Sequence, residues 1–225
     1  MITAFLPCRS GSERVAFKNT REFCSLTKKS ILEIKIEQLI LVNQFDKIII
    51  STNDPLVKEI TSKFFYDKRV VLDHRPEEFS NSETQTDDLI KYVNSIIADG
   101  DICWTHATSP FADAPIYANA ISEYKKNISN GYDSLMSVCE IRKFLWKNGK
   151  PYNYDYNKQK WPKTQDIEPI FEVNSALFIA NKKSYRDLGN RIGEKPFLFK
   201  MDSISSFDID WEYDFMIAQR IYNLK

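Results

Sequence analysis

Ile2-Thr3-Ala4-Phe5-Leu6 is a short apolar run that leads directly into Pro7-Cys8-Arg9-Ser10-Gly11-Ser12-Glu13-Arg14-Val15-Ala16-Phe17-Lys18-Asn19. An apolar segment followed by a small polar loop is typical of a first β-strand that delivers a phosphate-binding loop. Arg9, Arg14 and Lys18 supply positive charge, while Ser10, Gly11 and Ser12 let the backbone approach an anion closely. The alternative is a solvated basic turn without a ligand.

Two common nucleotide fingerprints are missing from the sequence. No G-x-x-x-x-G-K-[ST] run is present, which disfavours a P-loop NTPase, and no G-x-G-x-x-G run follows the first strand, which disfavours a dinucleotide-binding domain. Because Gly11 is the only glycine of the loop, side chains must help the backbone to hold any triphosphate.

Apolar runs alternate with segments of helical period along the chain. The predicted strands cover residues 2–7, 47–52, 69–73, 101–106, 134–140, 173–180 and 196–201, and the predicted helices cover residues 30–43, 54–66, 84–98, 112–127, 182–190 and 210–223. This alternation predicts an α/β fold, a Rossmann-like three-layer sandwich around a mostly parallel mixed sheet. The length suits one domain over residues 1–225.

The composition argues against several classes of protein. The 31 basic and 31 acidic residues balance, unlike those of a general nucleic-acid binder. No apolar run approaches the roughly 20 residues that cross a bilayer, and the first residues lack the basic region of a signal peptide. The four cysteines contain no C-x-x-C pair, so reduced thiols are expected. We therefore expect a cytoplasmic protein with no nucleic-acid or membrane partner.

A pair of aspartates, Asp208 and Asp210, lies near the carboxyl end of the sequence. In an extended segment, side chains two residues apart point the same way. Two carboxylates on one face suit a hard divalent ion such as Mg²⁺, which prefers oxygen ligands. The alternative is a helix N-terminus at which acidic side chains complement the helix dipole.

The N-terminal loop and the aspartate pair together resemble the CMP-sugar synthetases, which are the acylneuraminate and Kdo cytidylyltransferases. The pattern P-x-R-x-G-S-x-R-x-x-x-K-N matches at seven positions, and D-I-D-x-x-x-D-F resembles the metal-binding end of the family. The resemblance implies a nucleotidyltransferase domain, with Arg9, Lys18 and Asp210 as catalytic residues and with Mg²⁺ on Asp208 and Asp210. It also implies that CTP is bound by Arg9, Ser10, Gly11, Ser12, Arg14, Lys18, Asn19 and Thr86.

The segment after the strand at 101–106 resembles the family's acceptor-binding motif. Thr108 and Ser109 match that motif, and His106 replaces a glutamine that contacts the acceptor in relatives. His106 is therefore expected to donate a hydrogen bond to the acceptor, or to act as a base with a pKa near neutral. The alternative is a packed histidine with a backbone partner.

A later segment resembles a second family motif, and there Gln165 and Asn174 are the expected acceptor contacts. Relatives often carry basic residues hereabouts for the sugar carboxylate. The basic residues of this chain that we expect to take that role are Arg142, Lys143 and Lys163.

Residues 141–172 break the alternation, because they are rich in aromatic residues and proline and have no helical period. Exposed aromatic side chains indicate an interface. The related synthetases dimerise through an arm near this position, so the resemblance predicts a dimerisation arm and a homodimer.

The resemblance implies that CTP and a sugar acid give a CMP-sugar and pyrophosphate, with a sialic, legionaminic or pseudaminic acid as the first choice of acceptor. Kdo and a phosphonate are alternative acceptors. A glycosyltransferase with an Asp-x-Asp metal site is disfavoured, because Asp208 and Asp210 lie so near the end of the sequence. A non-catalytic module is also disfavoured, since it would be expected to have lost the loop charges.

Overall fold

Seven strands form the central sheet of the computed structural model, which describes residues 1–224. They are β1 (Ile2–Pro7), β2 (Lys47–Thr52), β3 (Val70–His74), β4 (Asp101–Thr105), β5 (Ser134–Ile141), β6 (Ile170–Asn181) and β7 (Pro196–Met201). The strand order is β7-β5-β6-β4-β1-β2-β3. Only β6 runs antiparallel to its neighbours, so the predicted mostly parallel mixed sheet is confirmed.

Five α-helices flank this sheet. They are α1 (Ile31–Ile40), α2 (Pro55–Ser62), α3 (Thr86–Ile96), α4 (Ala114–Ile128) and α5 (Glu212–Asn223). Local sequence sets their starts: Ser30 and Glu33 form a capping box at α1, and Asp54 accepts a hydrogen bond from the N–H of Leu56 at the start of α2. The predicted helix over 182–190 is helical in the structure over residues 182–188, but its Ser184–Leu188 part is a π-helical turn rather than an α-helix.

The helices lie on both faces of the sheet, which confirms the three-layer sandwich. Along β1, Ala4 and Leu6 join the core under α1, α2, α4 and α5, whereas Phe5 joins the core under α3. The Phe5 ring meets the Trp104 ring edge-on at 5.0 Å between centroids. Each central strand is therefore buried on both faces, as its continuous apolar run predicts.

The N-terminal loop (residues 8–19) leaves the carboxyl end of β1, and the β4 loop (residues 106–113) leaves the same edge of the sheet. The C-terminal loop (residues 202–211) returns to this edge, where the N–H of Ile209 donates to the carbonyl of Thr108 at 3.0 Å. Ligands of open α/β sheets bind at such an edge.

The predicted arm connects β5 to β6 and contains a small hairpin of Trp146–Lys147 and Lys150–Pro151. Its aromatic side chains pack partly on one another, with Phe144 against Tyr154 and Trp161. No α-helix in residues 1–224 is both long and apolar enough to span a membrane.

Candidate active site

A cleft of about 500 Å³ opens where the N-terminal, β4 and C-terminal loops meet. The predicted site residues that line it are Arg9, Ser12, Arg14, Lys18, Asn19, Thr86, His106, Thr108, Asp208 and Asp210. Ser10 and Gly11 line a second cleft of about 380 Å³, which lies against the same loop and shares Arg9 and Lys18 with the first.

Backbone contacts fix the N-terminal loop to the segment at the end of β2. The N–H of Cys8 donates to the carbonyl of Ser51 at 2.9 Å, and the N–H of Ser10 donates to Oδ1 of Asn53 at 3.0 Å. Gly11 has a φ of 70°, a left-handed conformation that glycine adopts without a Cβ penalty. The loop is therefore held at the sheet edge where its cations reach the cleft.

The cations of the N-terminal loop meet the aspartates of the C-terminal loop. Nη2 of Arg14 lies 2.8 Å from Oδ1 of Asp210, and Nζ of Lys18 donates to the carbonyl of Ile209 at 3.0 Å. Partial burial lowers the pKa of Lys18, while the nearby Asp208 carboxylate acts in the opposite direction. The N-terminal loop and the C-terminal loop thus meet in one cleft, as a shared site for a triphosphate and a metal ion requires.

Asp208 and Asp210 flank Ile209, whose side chain is fully buried. Both carboxylates line the cleft, as expected for alternate residues of an extended segment. Burial raises the pKa of Asp208, and the neighbouring charge of Asp210 adds to this, while a hydrogen bond with Thr108 opposes it.

Asp214, rather than the aspartate pair, caps the following helix. Its Oδ2 accepts hydrogen bonds from the N–H groups of Asp210 at 3.1 Å and Trp211 at 2.7 Å. These bonds occupy the N–H groups of Trp211, which is the N-cap of α5, and of the residue before it. The carboxylates of Asp208 and Asp210 therefore remain available to the cleft, and the helix-capping alternative does not account for them.

Both ring nitrogens of His106 are engaged within the protein. Nε2 accepts from the indole N–H of Trp104 at 3.0 Å, and Nδ1 donates to the carbonyl of Ser175 at 2.8 Å. Desolvation lowers the pKa of His106 to about 4, and the positive charge of Arg191 contributes to this. The expectation of a base with a pKa near neutral is therefore wrong, because the ring is neutral and both of its nitrogens are occupied.

Ser175 reaches His106 through an irregularity in β6. The pairing of β6 with β5 shifts register between Val173 and Phe178, and Ser175 has a φ of 58°. Left-handed backbone is strained for residues other than glycine. Ser175 adopts this conformation while its carbonyl accepts the hydrogen bond from His106.

Three predicted acceptor contacts do not line the cleft. Ser109 is fully buried beneath it. Asn174 is also buried, and its side chain donates to Oγ of Ser206 at 3.0 Å, which ties β6 to the C-terminal loop. Gln165 lies exposed in the arm. The prediction that Ser109 and Asn174 contact an acceptor in this cleft is therefore wrong. Both side chains are buried and support the loops that form the cleft.

The three basic residues expected to replace the carboxylate-binding residues of the relatives do not line the cleft either. Arg142 pairs with Glu140 and donates to the carbonyl of Gln165 at 3.2 Å, and Lys143 and Lys163 are exposed. None of the three lines the cleft of its own chain.

Sequence reasoning missed Lys35, which supports the β4 loop from below. This side chain is fully buried, and its Nζ donates to the carbonyls of Ser109 at 2.8 Å and Ala112 at 2.7 Å and to the hydroxyl of Tyr117 at 3.1 Å. Burial lowers its pKa to about 7. The available signal was a lysine on the otherwise apolar face of α1.

Arg191 is the second residue that sequence reasoning missed. It follows the π-helical turn and lines the cleft beside Trp104 and His106. No pattern in the sequence marks it, because its place in the cleft depends on how the segment after β6 folds back over the sheet.

Comparison with known proteins finds relatives that are cytidylyltransferases. An Escherichia coli O18:K1:H7 N-acylneuraminate cytidylyltransferase is 28% identical over 231 residues, covering 100% of this chain and 52% of the relative. A Campylobacter jejuni pseudaminic acid cytidylyltransferase is 25% identical over 235 residues, covering 97% of this chain and 95% of the relative. The chain thus spans about half the length of the N-acylneuraminate enzymes that it matches, but nearly all of the second relative.

The fold is also shared with solved structures. A CMP:2-keto-3-deoxy-manno-octonic acid synthetase complexed with CTP superposes with a TM-score of 0.69 at 11% identity, covering 99% of this chain and 98% of the other. The sequence profile described as "Cytidylyltransferase" matches residues 3–223, which is nearly the whole chain. This chain therefore belongs to the cytidylyltransferase family.

Proposed function

We propose that this protein transfers the cytidylyl group of CTP to a hydroxyl group of a sugar acid and releases pyrophosphate. The acceptor that we propose first is a nonulosonic acid of the sialic, legionaminic or pseudaminic type. Family membership and the names of the relatives support the proposal. The observation that carries it is the single cleft shared by Arg9, Arg14, Lys18, Asp208 and Asp210.

The charges of the cleft suit this reaction. The acceptor hydroxyl oxygen forms a bond to the α-phosphorus of CTP and loses its proton to solvent, while the bond to the bridging oxygen breaks and its electron pair leaves with pyrophosphate. Both reactants are anionic, so their repulsion opposes the encounter. Arg9, Arg14 and Lys18 would offset this repulsion and stabilise the charge that develops on the leaving group.

We propose that Asp208 and Asp210 hold Mg²⁺. The two carboxylates lie in one cleft, and burial and the nearby charge of Asp210 raise the pKa of Asp208. A divalent cation would stabilise the charged form of both carboxylates. In residues 1–224 no cluster of three or more His, Cys, Asp or Glu side chains forms a metal site, so phosphate oxygens and water would complete the coordination. When bound, the ion would neutralise phosphate charge.

We also propose that the protein is a cytoplasmic homodimer assembled through the arm at 141–172. The arm exposes aromatic side chains that its own chain leaves uncovered: Trp146 is 54% exposed, Tyr152 59% and Trp161 68%. Large exposed aromatic residues are enriched at protein interfaces.

The test of the proposed function is pyrophosphate release from CTP with a panel of acceptors. The panel contains sialic, legionaminic and pseudaminic acids, Kdo and a phosphonate, each also assayed with ATP and UTP. We expect release only with CTP, and fastest with one of the nonulosonic acids. Release with ATP or UTP but not with CTP, or no release with any acceptor, would overturn the proposal.

A further inference from the structure

Arg191 lines the cleft, and its guanidinium stacks on two aromatic rings. Its guanidinium carbon is 3.9 Å from the centroid of Phe178 and 5.1 Å from that of Trp104, and both rings are almost fully buried. Stacking on two aromatic faces fixes the plane of the guanidinium and stabilises its charge. The side chain is therefore preorganised rather than mobile in solvent.

The charge of Arg191 is not balanced by an acid. Among residues 1–224 no carboxylate lies within ion-pair distance of its guanidinium, whereas Arg14 in the same cleft pairs with Asp210 at 2.8 Å. Desolvation lowers the pKa of Arg191, with a small opposing effect from Tyr185. A partly desolvated cation without a counter-charge is costly, and an anionic ligand in the cleft would offset that cost.

Arg191 is also separate from the cations that we assign to the triphosphate. It follows β6, whereas Arg9, Arg14 and Lys18 belong to the N-terminal loop. The neutral ring of His106 feels the positive charge of both Arg191 and Lys18, so it lies within electrostatic reach of each. The cleft thus contains a fourth cation, supplied by a different segment from the three that we assign to the triphosphate.

We propose that Arg191 binds the carboxylate of the acceptor sugar acid and orients its hydroxyl toward the α-phosphate. This inference rests on the proposed function. A guanidinium matches a carboxylate with two parallel hydrogen bonds, which fixes orientation as well as position. The residue thereby selects for acceptors that carry an acid, and it does so from the same chain that supplies the nucleotide site.

The test compares the wild type with Arg191→Gln and Arg191→Lys, using the best acceptor of the panel and the amide of its carboxyl group. We expect Arg191→Gln to raise the KM for the acid about 10- to 100-fold and to leave the KM for CTP within about twofold. The wild type should prefer the acid to the amide, and Arg191→Gln should lose most of that preference. Arg191→Lys should retain part of that preference, since lysine keeps the positive charge but cannot donate two parallel hydrogen bonds to a carboxylate.

Arg186→Gln is the matched control, because Arg186 is exposed on the π-helical turn and pairs with Asp187 at 2.6 Å. It should leave both KM values unchanged. CTP binding measured by calorimetry shows that each variant is folded. An unchanged acceptor KM and an unchanged preference for the acid in folded Arg191→Gln would overturn this inference. Absence of pyrophosphate release by the wild type with every acid would instead overturn the proposed function.

Discussion

Arg14 and Asp210 form an ion pair across the cleft, with 2.8 Å between Nη2 and Oδ1. Both side chains are about half exposed, so the pair itself contributes at most about 1 kcal/mol to stability. Its significance is positional, because it brings a cation of the N-terminal loop against a carboxylate of the C-terminal loop. A triphosphate bound by the first would lie against a metal ion bound by the second.

Asp210→Asn tests the role of this carboxylate. We expect kcat/KM for CTP to fall about 100-fold or more, because the amide is a poorer metal ligand and lacks the charge. The free energy of unfolding should change by less than about 1 kcal/mol, since the side chain is half exposed. Pyrophosphate release and urea unfolding measure the two quantities. Asp187→Asn, at an exposed pair with Arg186, is the control, and activity within twofold of the wild type in Asp210→Asn would contradict the assignment.

His106 gives the protein a predicted pH dependence of stability. Its pKa in the folded state is about 4, below the ordinary value of 6.5, so the unfolded chain binds the proton more tightly. Stability from this group is complete above pH 6.5 and is lost as the pH falls toward 4, by about 3 kcal/mol in total.

Urea unfolding at pH 7, 6, 5 and 4 measures this effect. The loss of stability should be smaller in His106→Gln, whereas His74→Gln, at an exposed histidine, should keep the slope of the wild type. Equal slopes in the wild type and in His106→Gln would show that the ring is not held neutral.

Lys35→Met tests the support beneath the β4 loop. The substitution leaves the carbonyls of Ser109 and Ala112 without their buried donor, and we expect a loss of about 2–4 kcal/mol in the free energy of unfolding. Activity should fall as well, because the loop carries Thr108 and His106. Lys68→Met, at an exposed position, should change neither quantity. A loss below about 0.5 kcal/mol would mean that the loop does not depend on Lys35.

The exposed aromatic side chains of the arm lead us to predict a dimer. We expect the wild type to be a dimer by light scattering, and Trp146→Ser combined with Tyr152→Ser to shift it toward the monomer, because both side chains are exposed in the isolated chain. Tyr66→Ser removes an even more exposed aromatic residue outside the arm and should leave the dimer intact. A wild-type monomer at micromolar concentration would refute the proposed homodimer.

The parts of this molecule that sequence predicts well are governed by local physics. The capping box of Ser30 and Glu33 and the alternation around Ile209 involve only neighbouring residues, so their patterns are legible in the sequence. The N-terminal loop can also be recognised from the sequence, because its charged and small residues are contiguous.

The residues that were misassigned or missed from the sequence depend on distant partners. Asn174 has the right type for a substrate contact, yet its side chain is used to join β6 to the C-terminal loop at Ser206. His106 is neutral because burial desolvates its ring, and the ring nitrogens are occupied by Trp104 and Ser175. Arg191 reaches the cleft only through the fold of the segment that follows β6. Burial and pairing of this kind arise from tertiary contacts, which no local pattern encodes.

We propose that the N-terminal loop and the aspartate pair act on one triphosphate, and a double-mutant cycle distinguishes this from independent action. The quantity measured is kcat/KM for CTP in the wild type, Lys18→Met, Asp210→Asn and the double variant, with Lys68→Met as the unrelated partner. Because residues that act as a unit are not additive, we predict that the double variant loses little more than the worse single variant. If the fold-losses in kcat/KM of the two single variants instead multiply in the double variant, the two segments act independently and do not share a triphosphate. This is the result that we expect for Lys68→Met combined with Asp210→Asn.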